Sequence, residues 1–553
     1  MRRKQRILGA AVGDCVHVAG VVNFLRLAEE QGYETEFLGP AVPVPELIGA
    51  VLEDMPDMVA VGYRLTPEAA RHVLEDLKRA AAEAGLVGRV RFVFGGTAPV
   101  AEVARRVGLF ERVFDGASGA EAVIAFLRGG GARRGAGAYP DTLLDRIRWK
   151  APYPVIRHHF GLPDYEATRR GIAEIAESGC LDVISLGIDQ NTQEHFFRPH
   201  LRDPGQHGAG GVPVETREQF AALYEASRRG NYPLMRCYSG TRDLLAMAEM
   251  LHETIRNAWC AVPLTWYSVL DGRSDRSLPD TIREAQQVMA WHARRGVPVE
   301  MNESHHWSLR DAPDTVACAA AFLAAYNARQ AGVRHYIQQL MFNNPPGTSF
   351  AMDLAKMLAK LELVESLQGE DFQVLRETRS GLSSYPADLD MARGHLASSI
   401  VLQMAVKPHI VHVVGYPEAD HAATAREVIE SCLMARRAIE NCLTGMPDMT
   451  LDPRVQARKA QLVEETRLLL DAIRGLAPAG TGDPWTDPVT LTRAVEAGLL
   501  DAPHLRGNPT ARGRVVTRIV DGACVAVDPE TREPLPERER IARALADYEA
   551  SVA

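Results

Sequence analysis

The sequence predicts an α/β protein in which a flavodoxin-like, doubly wound parallel sheet is followed by a TIM-type (β/α)8 barrel. Two observations predict this fold. Short β-branched runs alternate with helical patterns over residues 6–128, as expected for a parallel sheet covered by helices. After a glycine-rich stretch, eight further apolar runs alternate with helical patterns, and eight such units are the element count of a closed barrel.

The first predicted domain covers residues 1–128 and contains five strands. Helical patterns such as residues 67–84 separate these strands. Open α/β sheets bind ligands beyond the carboxyl ends of their strands, so the loops that follow the strands are the candidate binding region. The predicted strands are residues 7–12, 34–38, 58–63, 90–94 and 112–114.

A linker is predicted at residues 129–150, because Gly129 to Gly137 is flexible by composition. The barrel is expected at 151–450, and a C-terminal extension that packs on it at 451–553. The eight predicted barrel strands are residues 154–158, 182–187, 233–238, 260–267, 297–303, 335–342, 372–378 and 409–415.

Polar residues stand late in most of these barrel strands, where a TIM barrel builds its active site. Any single one of them could instead line the interior or pair structurally, but a ring of them favours a site. They are Arg157, Asp189, Arg236, Tyr267, Glu303, Gln339, Arg376 and His412.

Composition narrows the class of protein. The 553 residues carry a net charge of -9, with 46% hydrophobic and 24% charged residues, which is ordinary for a globular protein and offers no basic surface for nucleic acid. The sequence contains neither a secretory signal pattern nor an apolar stretch of membrane-spanning length, so a cytoplasmic location is expected. Eight scattered cysteines predict neither a disulfide framework nor a zinc or iron–sulfur site.

The loop after the first strand reads Gly13-Asp14-Cys15-Val16-His17-Val18-Ala19-Gly20. It resembles the Asp-x-His-x-x-Gly loop of the cobalamin-binding domain in adenosylcobalamin mutases, in which the histidine is the cobalt ligand. The resemblance implies that His17 binds the cobalt of cobalamin and that Gly20 lies against the cofactor. Cys15 stands at the aspartate position, and Asp14 would orient His17 only if the loop bulges by one residue. Otherwise His17 is a weaker axial ligand, or it does not bind cobalt.

The same resemblance gives cofactor-binding roles to the loops after strands three and four, at Thr66, Gly95 and Gly96. A receiver domain or a flavin-binding domain is the main alternative for this sheet. The chain lacks the acidic cluster of receivers, and the histidine loop disfavours flavin.

Five stretches of the barrel and the C-terminal extension, in chain order, are residues 211–214, 233–236, 384–388, 416–420 and 494–503. Through these stretches the segment from about residue 153 to 545 resembles the large subunit of glutamate mutase (methylaspartate mutase). That family carries out a radical carbon-skeleton rearrangement with adenosylcobalamin, and its cobalamin domain is a separate subunit.

Two of the three carboxylate-binding arginines of that family correspond to Arg157 and Arg236, and the third falls near Phe196. The family's glutamate that contacts the substrate amine falls near Val262 or Pro263. Because a buried unpaired carboxylate is costly, the loss of one arginine disfavours glutamate as substrate.

Three further positions follow from the resemblance. Tyr267 corresponds to a substrate-binding tyrosine, His412 to the lysine that contacts the adenosyl ribose, and Tyr416 to its companion glutamate. His158, His159 and the run His305-His306-Trp307 could help define the substrate pocket, although a loop edge explains that run equally well.

The leading hypothesis is an adenosylcobalamin-dependent radical mutase, an isomerase that acts on an amino or carboxylic acid other than glutamate. The alternatives are a cobalamin-dependent methyltransferase, favoured by the altered positions His412 and Tyr416, and a non-catalytic cobalamin-binding protein. The expected partners are the small-molecule substrate and, by resemblance, a second copy of the chain in a homodimer, with no nucleic acid and no membrane.

Overall fold

The computed structural model describes residues 4–116, 120–130, 137 and 139–552. The chain divides into two compact units, Met1–Gly135 and Ala136–Ala553. Most of the glycine-rich part of the predicted linker, residues 131–136 and 138, lies outside the described residues. Helix α6, Leu143–Lys150, occupies the last part of the predicted linker span 129–150.

The first unit is a five-stranded parallel sheet in the order β2-β1-β3-β4-β5, with helices between the strands. This confirms the predicted doubly wound fold. The strands are β1 Arg6–Val12, β2 Glu34–Val42, β3 Met58–Tyr63, β4 Arg91–Gly96 and β5 Arg112–Phe114. The helices are α1 Ala19–Glu30, α2 Val44–Asp54, α3 Pro67–Glu83, α4 Ala98–Val107 and α5 Ala120–Gly130.

Burial follows strand position in this sheet. All six residues of the central strand β3 are buried, as expected for a strand covered by helices on both faces. The edge strand β2 is exposed or half-buried except at Val42, and it carries Glu34 and Glu36, charges that discourage pairing with another chain. The sheet therefore brings the ends of β1, β3 and β4 together at its centre.

The second unit contains a nearly closed barrel of eight parallel strands, in the order β8-β7-β6-β13-β12-β11-β10-β9. Backbone hydrogen bonds from Ser239 N to Ala261 O (3.1 Å) and from Ala258 N to Met235 O (2.9 Å) join the two terminal strands β8 and β9. The predicted barrel is thereby confirmed. Its strands are β6 Val155–Phe160, β7 Val183–Leu186, β8 Leu234–Cys237, β9 Cys260–Val262, β10 Val299–Met301, β11 His335–Phe342, β12 Gln373–Ser380 and β13 Ile410–Val413.

Helices surround this barrel, and α17 (Pro453–Gly475) of the C-terminal extension packs on α13 (Asp314–Gln330) and α14 (Phe350–Glu365) through one shared apolar cluster. An antiparallel hairpin of β14 Thr517–Val520 and β15 Ala523–Ala526 also belongs to this unit. No helix among the described residues is both long and apolar enough to cross a membrane. The helices are α7 Tyr165–Ser178, α8 Gln190–His195, α9 Arg217–Ala226, α10 Leu244–Ile255, α11 Leu278–Ala293, α12 Ser304–Ser308, α13 Asp314–Gln330, α14 Phe350–Glu365, α15 Leu389–Met404, α16 Ala425–Thr444, α17 Pro453–Gly475, α18 Pro488–Glu496 and α19 Glu537–Val552.

Two details of the predicted strands differ from the structure. Strand β9 ends at Val262, not at Tyr267, because Pro263 has no N–H to continue the ladder. Tyr267 lies on the following loop with a φ of 62°. On β12, Arg376 points away from the barrel interior and pairs with Glu365 of α14 (2.7 Å).

Candidate functional site

The loop after β1 is held by polar contacts that begin at a turn. Gly13 has a φ of 69°, a conformation that glycine adopts without strain. Asp14 Oδ1 accepts a hydrogen bond from the Tyr63 hydroxyl (2.9 Å), and the buried Cys15 Sγ accepts one from Arg64 N (3.3 Å). Burial and this contact with Asp14 raise the pKa of Tyr63 to about 12. Both residues that could have oriented His17 therefore bind the end of β3 instead.

His17 is exposed at this edge, and its imidazole makes no hydrogen bond to any residue that the structure describes. A Cβ built at Gly20 or at Gly95 meets no atom within 4 Å, so both glycines border open space. Gly96 has a structural reason to be glycine, since a Cβ there would approach Tyr63 O to 2.6 Å. Thr66 caps α3, because its hydroxyl accepts from Ala69 N (3.3 Å). The loop edge therefore combines an unpaired imidazole with two backbone positions that a large ligand can approach.

Side chains from seven barrel strands meet in the interior around two buried glutamates. Glu300 on β10 accepts hydrogen bonds from Arg236 Nη2 (2.7 Å) and from the Trp259 indole (2.7 Å) at one oxygen. Its other oxygen accepts from Gln339 Nε2 (2.5 Å). Trp259 also stacks against the guanidinium groups of Arg157 and Arg236, at 5.4 and 5.5 Å.

The second glutamate, Glu377 on β12, pairs with Arg157 Nη2 (2.8 Å). Arg157 Nη2 also lies 2.8 Å from His412 Nδ1, and Arg157 Nη1 donates to Ser185 Oγ (3.2 Å). Glu377 Oε2 is buried and has no hydrogen-bond partner among the described residues. The two predicted arginines thus lie together, but each already contacts a carboxyl group of the chain. We call Arg157, Arg236, Glu300, Glu377, Gln339 and His412 the interior cluster.

The two glutamates of the interior cluster differ in acidity. Burial opposes ionisation of both, but the charges of Arg236 and Arg157 outweigh it at Glu300 and lower its pKa. At Glu377, burial and the negative charge of Glu300 raise the pKa to about 7, against the pull of Arg157. Burial and the arginine charges lower the pKa of His412 well below its ordinary value, so its ring is neutral.

A second set of side chains lies two residues nearer the carboxyl ends of the strands than the interior cluster. We call this set the mouth group, and its members are His159, Tyr238, Asn302 and Arg379. Each stands two positions after a member of the interior cluster, so it faces the same side of its strand. The ring of His159 lies 4.7 Å from that of His412 and 6.3 Å from that of Tyr238. Asn302 Oδ1 is buried without a hydrogen-bond partner among the described residues.

A set of stacked rings follows β9 and β10. His306 stacks on His305 (4.5 Å between centroids) and lies 5.7 Å from the ring of Tyr267. Glu303 fixes this arrangement, since it accepts from Leu264 N (2.7 Å) and from the Trp307 indole (2.9 Å). Tyr267 is thereby held at the same end of the barrel as the mouth group.

Other predicted positions lie apart from this interior. The Tyr416 hydroxyl donates to Glu430 of α16 (2.8 Å), within the outer layer of helices. Phe196 packs on Phe220 of α9 (5.6 Å between centroids), and Val262 is buried on β9. Two residues beyond Tyr416, Glu418 lies 3.4 Å from His158 Nε2.

Reasoning from the sequence missed Glu300, Glu377, Trp259 and Arg379. The signal was available in the alternation of β12, whose residues Gln373–Ser380 include Glu377 and Arg379 two positions apart. A prediction from polarity alone picked Arg376, which alternates with Glu377 along β12 and therefore faces the opposite side of the strand.

Residues 5–125 match the family model of the B12 binding domain. The first unit is therefore a B12-binding domain, which supports cobalamin as its ligand. A search of the curated proteins gave no match.

Three solved structures are similar to parts of the chain. A novel cobalamin-binding protein from Desulfitobacterium hafniense DCB-2 is 26% identical with a TM-score of 0.21, over 23% of this chain and 60% of that one. A rubisco-like protein from Alicyclobacillus acidocaldarius is 16% identical with a TM-score of 0.33, over 58% and 72%. A 2,3-dimethylmalate lyase of the PEP mutase/isocitrate lyase superfamily is 13% identical with a TM-score of 0.28, over 60% and 98%.

Proposed function

We propose that the protein is an adenosylcobalamin-dependent radical mutase that rearranges an amino or carboxylic acid other than glutamate. The observation that carries the proposal is the combination, in one chain, of a B12-binding domain with a parallel barrel whose interior holds arginines in a water-poor setting. The first matches the family model over residues 5–125, and the second belongs to the unit Ala136–Ala553.

The loop edge of the first unit fits a corrinoid with a long nucleotide tail. His17 offers an unpaired imidazole, and the open space at Gly20 and Gly95 admits a ligand close to the backbone. A metal-bound histidine is ordinarily tuned by a carboxylate on its other nitrogen. Asp14 is bound to Tyr63, so His17 would hold the corrinoid cobalt without help from that carboxylate and therefore more weakly.

Adenosylcobalamin supplies a carbon radical when its cobalt–carbon bond breaks, and the protein must then bind and shield the reacting species. Here the interior cluster closes the barrel floor with paired charges, and the mouth group and Tyr267 lie above it. Glu377, with a pKa of about 7, can hold or release a proton at Oε2 at neutral pH.

The experiment is a binding and label-transfer assay on the full chain. Adenosylcobalamin is added at micromolar concentration, and the retained corrinoid is read from the visible spectrum. We expect stoichiometric binding that weakens in His17→Ala and is unchanged in His72→Ala, an exposed histidine on α3. Tritium at the adenosyl C5′ should then pass into a candidate amino or carboxylic acid. Absence of bound corrinoid contradicts the proposal, and so does retention of the label with every candidate.

A methyltransferase is the second candidate, favoured by one observation. Tyr416 is committed to Glu430, so it does not offer a ribose contact in the barrel interior. Preferential binding of methylcobalamin over adenosylcobalamin, with methyl transfer to an acceptor, would support this alternative.

A further inference from the structure

The distribution of charge at the barrel mouth restricts the substrate. Arg157 and Arg236, the arginines that the sequence assigned to substrate carboxylates, are paired with Glu377 and Glu300 at 2.8 and 2.7 Å. Binding a carboxylate at either arginine would bring it against an existing one, which is unfavourable in a buried site. The substrate carboxylate therefore needs a different cation.

Arg379 meets that need. It lies two positions beyond Glu377 on β12, pairs in register with His412 of β13, and is partly exposed. Its Nε donates to Ser380 O (3.3 Å), and its guanidinium forms no ion pair with any residue that the structure describes. Glu418, the carboxylate whose charge acts most strongly on Arg379, is itself held by Gly415 N (2.7 Å) and lies beside His158.

The histidine rings around Arg379 add no positive charge to the mouth. Burial, with added repulsion from Arg379, lowers the pKa of His159, His305 and His306 well below the ordinary value, so these rings are neutral at pH 7. Arg273 and Arg310 both lie 3.7 Å from the carboxylate of Asp271 and stack over Tyr267 and Trp266. Two buried polar atoms without partners among the described residues, Asn302 Oδ1 and Trp266 Nε1, mark the region as built for a polar ligand.

We propose that Arg379 binds the carboxylate of the substrate and that the substrate is a monocarboxylic acid whose remaining part lies among the aromatic and imidazole rings of the mouth. This inference rests on the proposed function for the identity of the bound molecule as a substrate. The binding site itself stands on the geometry of the barrel and does not require cobalamin.

Binding is measured by calorimetry on the full chain without cofactor, with butyrate and glutarate as probes. A guanidinium presents paired donors to a carboxylate, and the loss of such charge-assisted bonds weakens binding roughly ten- to hundredfold. We expect the unmodified chain to bind butyrate and to bind glutarate at least tenfold more weakly. The affinity of Arg379→Gln for butyrate should also be at least tenfold lower than that of the unmodified chain. Arg379→Lys should recover part of the affinity, because it keeps the charge but not the paired geometry.

Arg376→Gln is the matched control, since Arg376 lies on the same strand but pairs with Glu365 outside the barrel. Its butyrate affinity should equal that of the unmodified chain. Equal affinity of Arg379→Gln and the unmodified chain would overturn the inference, as would glutarate binding as tightly as butyrate. Because no cobalamin is present, these outcomes are independent of the label-transfer assay, so failure of the inference and failure of the mutase proposal are distinguishable.

Discussion

The charge balance of the interior cluster makes Glu300→Gln the most informative perturbation of the barrel. The substitution keeps the side-chain volume but removes the charge that Arg236 contacts at 2.7 Å and Arg157 faces at 3.7 Å. One carboxylate, Glu377, then remains for two buried guanidinium groups. Removing one partner from a buried ion pair costs about 3 to 5 kcal/mol, because the other charge is left uncompensated.

The hydrogen bonds of Glu300 place this variant toward the upper part of that range. Its two oxygens accept from Arg236, Trp259 and Gln339 at 2.5 to 2.7 Å. An amide at this position offers one acceptor oxygen and an NH2 group, so at least one of the three buried donors loses its acceptor. A buried polar group left unsatisfied adds about 1 to 3 kcal/mol.

Urea unfolding followed by tryptophan fluorescence measures the loss of stability in the second unit, which contains Glu300. All six tryptophans lie between residues 149 and 485, so the signal comes from the second unit alone. Glu370→Gln, at an exposed turn, is the control and should change stability by less than about 0.5 kcal/mol. The double variant Arg236→Gln/Glu300→Gln should be less destabilised than the sum of the single variants, because the Arg157–Glu377 pair stays balanced. A loss below about 1 kcal/mol for Glu300→Gln, or strict additivity in the double variant, would refute the reasoning.

Three further predictions follow from the described contacts. The pKa of Glu377 is raised from 4.5 to about 7 in the folded barrel, so its contribution to stability is fully present below pH 4.5 and is lost as the pH rises through 7. In urea unfolding, Glu377→Gln should abolish this loss of about 3 kcal/mol. An unchanged pH dependence in the variant would contradict the prediction. Gly95→Leu should weaken cobalamin binding at least tenfold with little change in the thermal stability of the first unit. Gly49→Leu, whose side chain also projects into open space but on α2, should leave binding unchanged. Equal binding by both variants would exclude Gly95 from the cofactor site. Tyr416→Phe should leave kcat/KM within about threefold of the unmodified enzyme in the label-transfer assay, since the hydroxyl contacts Glu430 of α16, and a hundredfold loss would place it in the active site.

The fold could be predicted from the sequence because both units depend on patterns that repeat many times. Thirteen parallel strands in two sheets separated by helices leave few alternative architectures. Strand limits were harder to predict, and β9 illustrates the reason. The apolar run 260–267 continues past Pro263, but the ladder cannot, and only the backbone geometry places Tyr267 on a loop.

The candidate site was predictable in part. Arg157, Arg236 and His412 do lie in one cluster, because strands of a closed barrel direct alternate residues inward. Their partners Glu300 and Glu377 escaped prediction because ion pairing depends on which residues of distant strands face each other, a property that one sequence does not contain. The hydrogen bond between Asp14 and Tyr63 is of the same kind, since the two residues are 49 positions apart in the chain.

The pairing with Glu300 and Glu377 changes the role that Arg236 and Arg157 can have in binding a substrate. An arginine that faces a cavity without a counter-charge is a binding site for an external carboxylate, whereas one that is paired within the protein is part of the wall. Glu300 and Glu377 supply from β10 and β12 the two carboxylates that a dicarboxylic substrate would otherwise bring to Arg236 and Arg157. An external carboxylate at this depth would meet the charge of Glu300 and the carboxyl group of Glu377. We therefore infer that any substrate of this barrel binds above the interior cluster, with Arg379 as its cation.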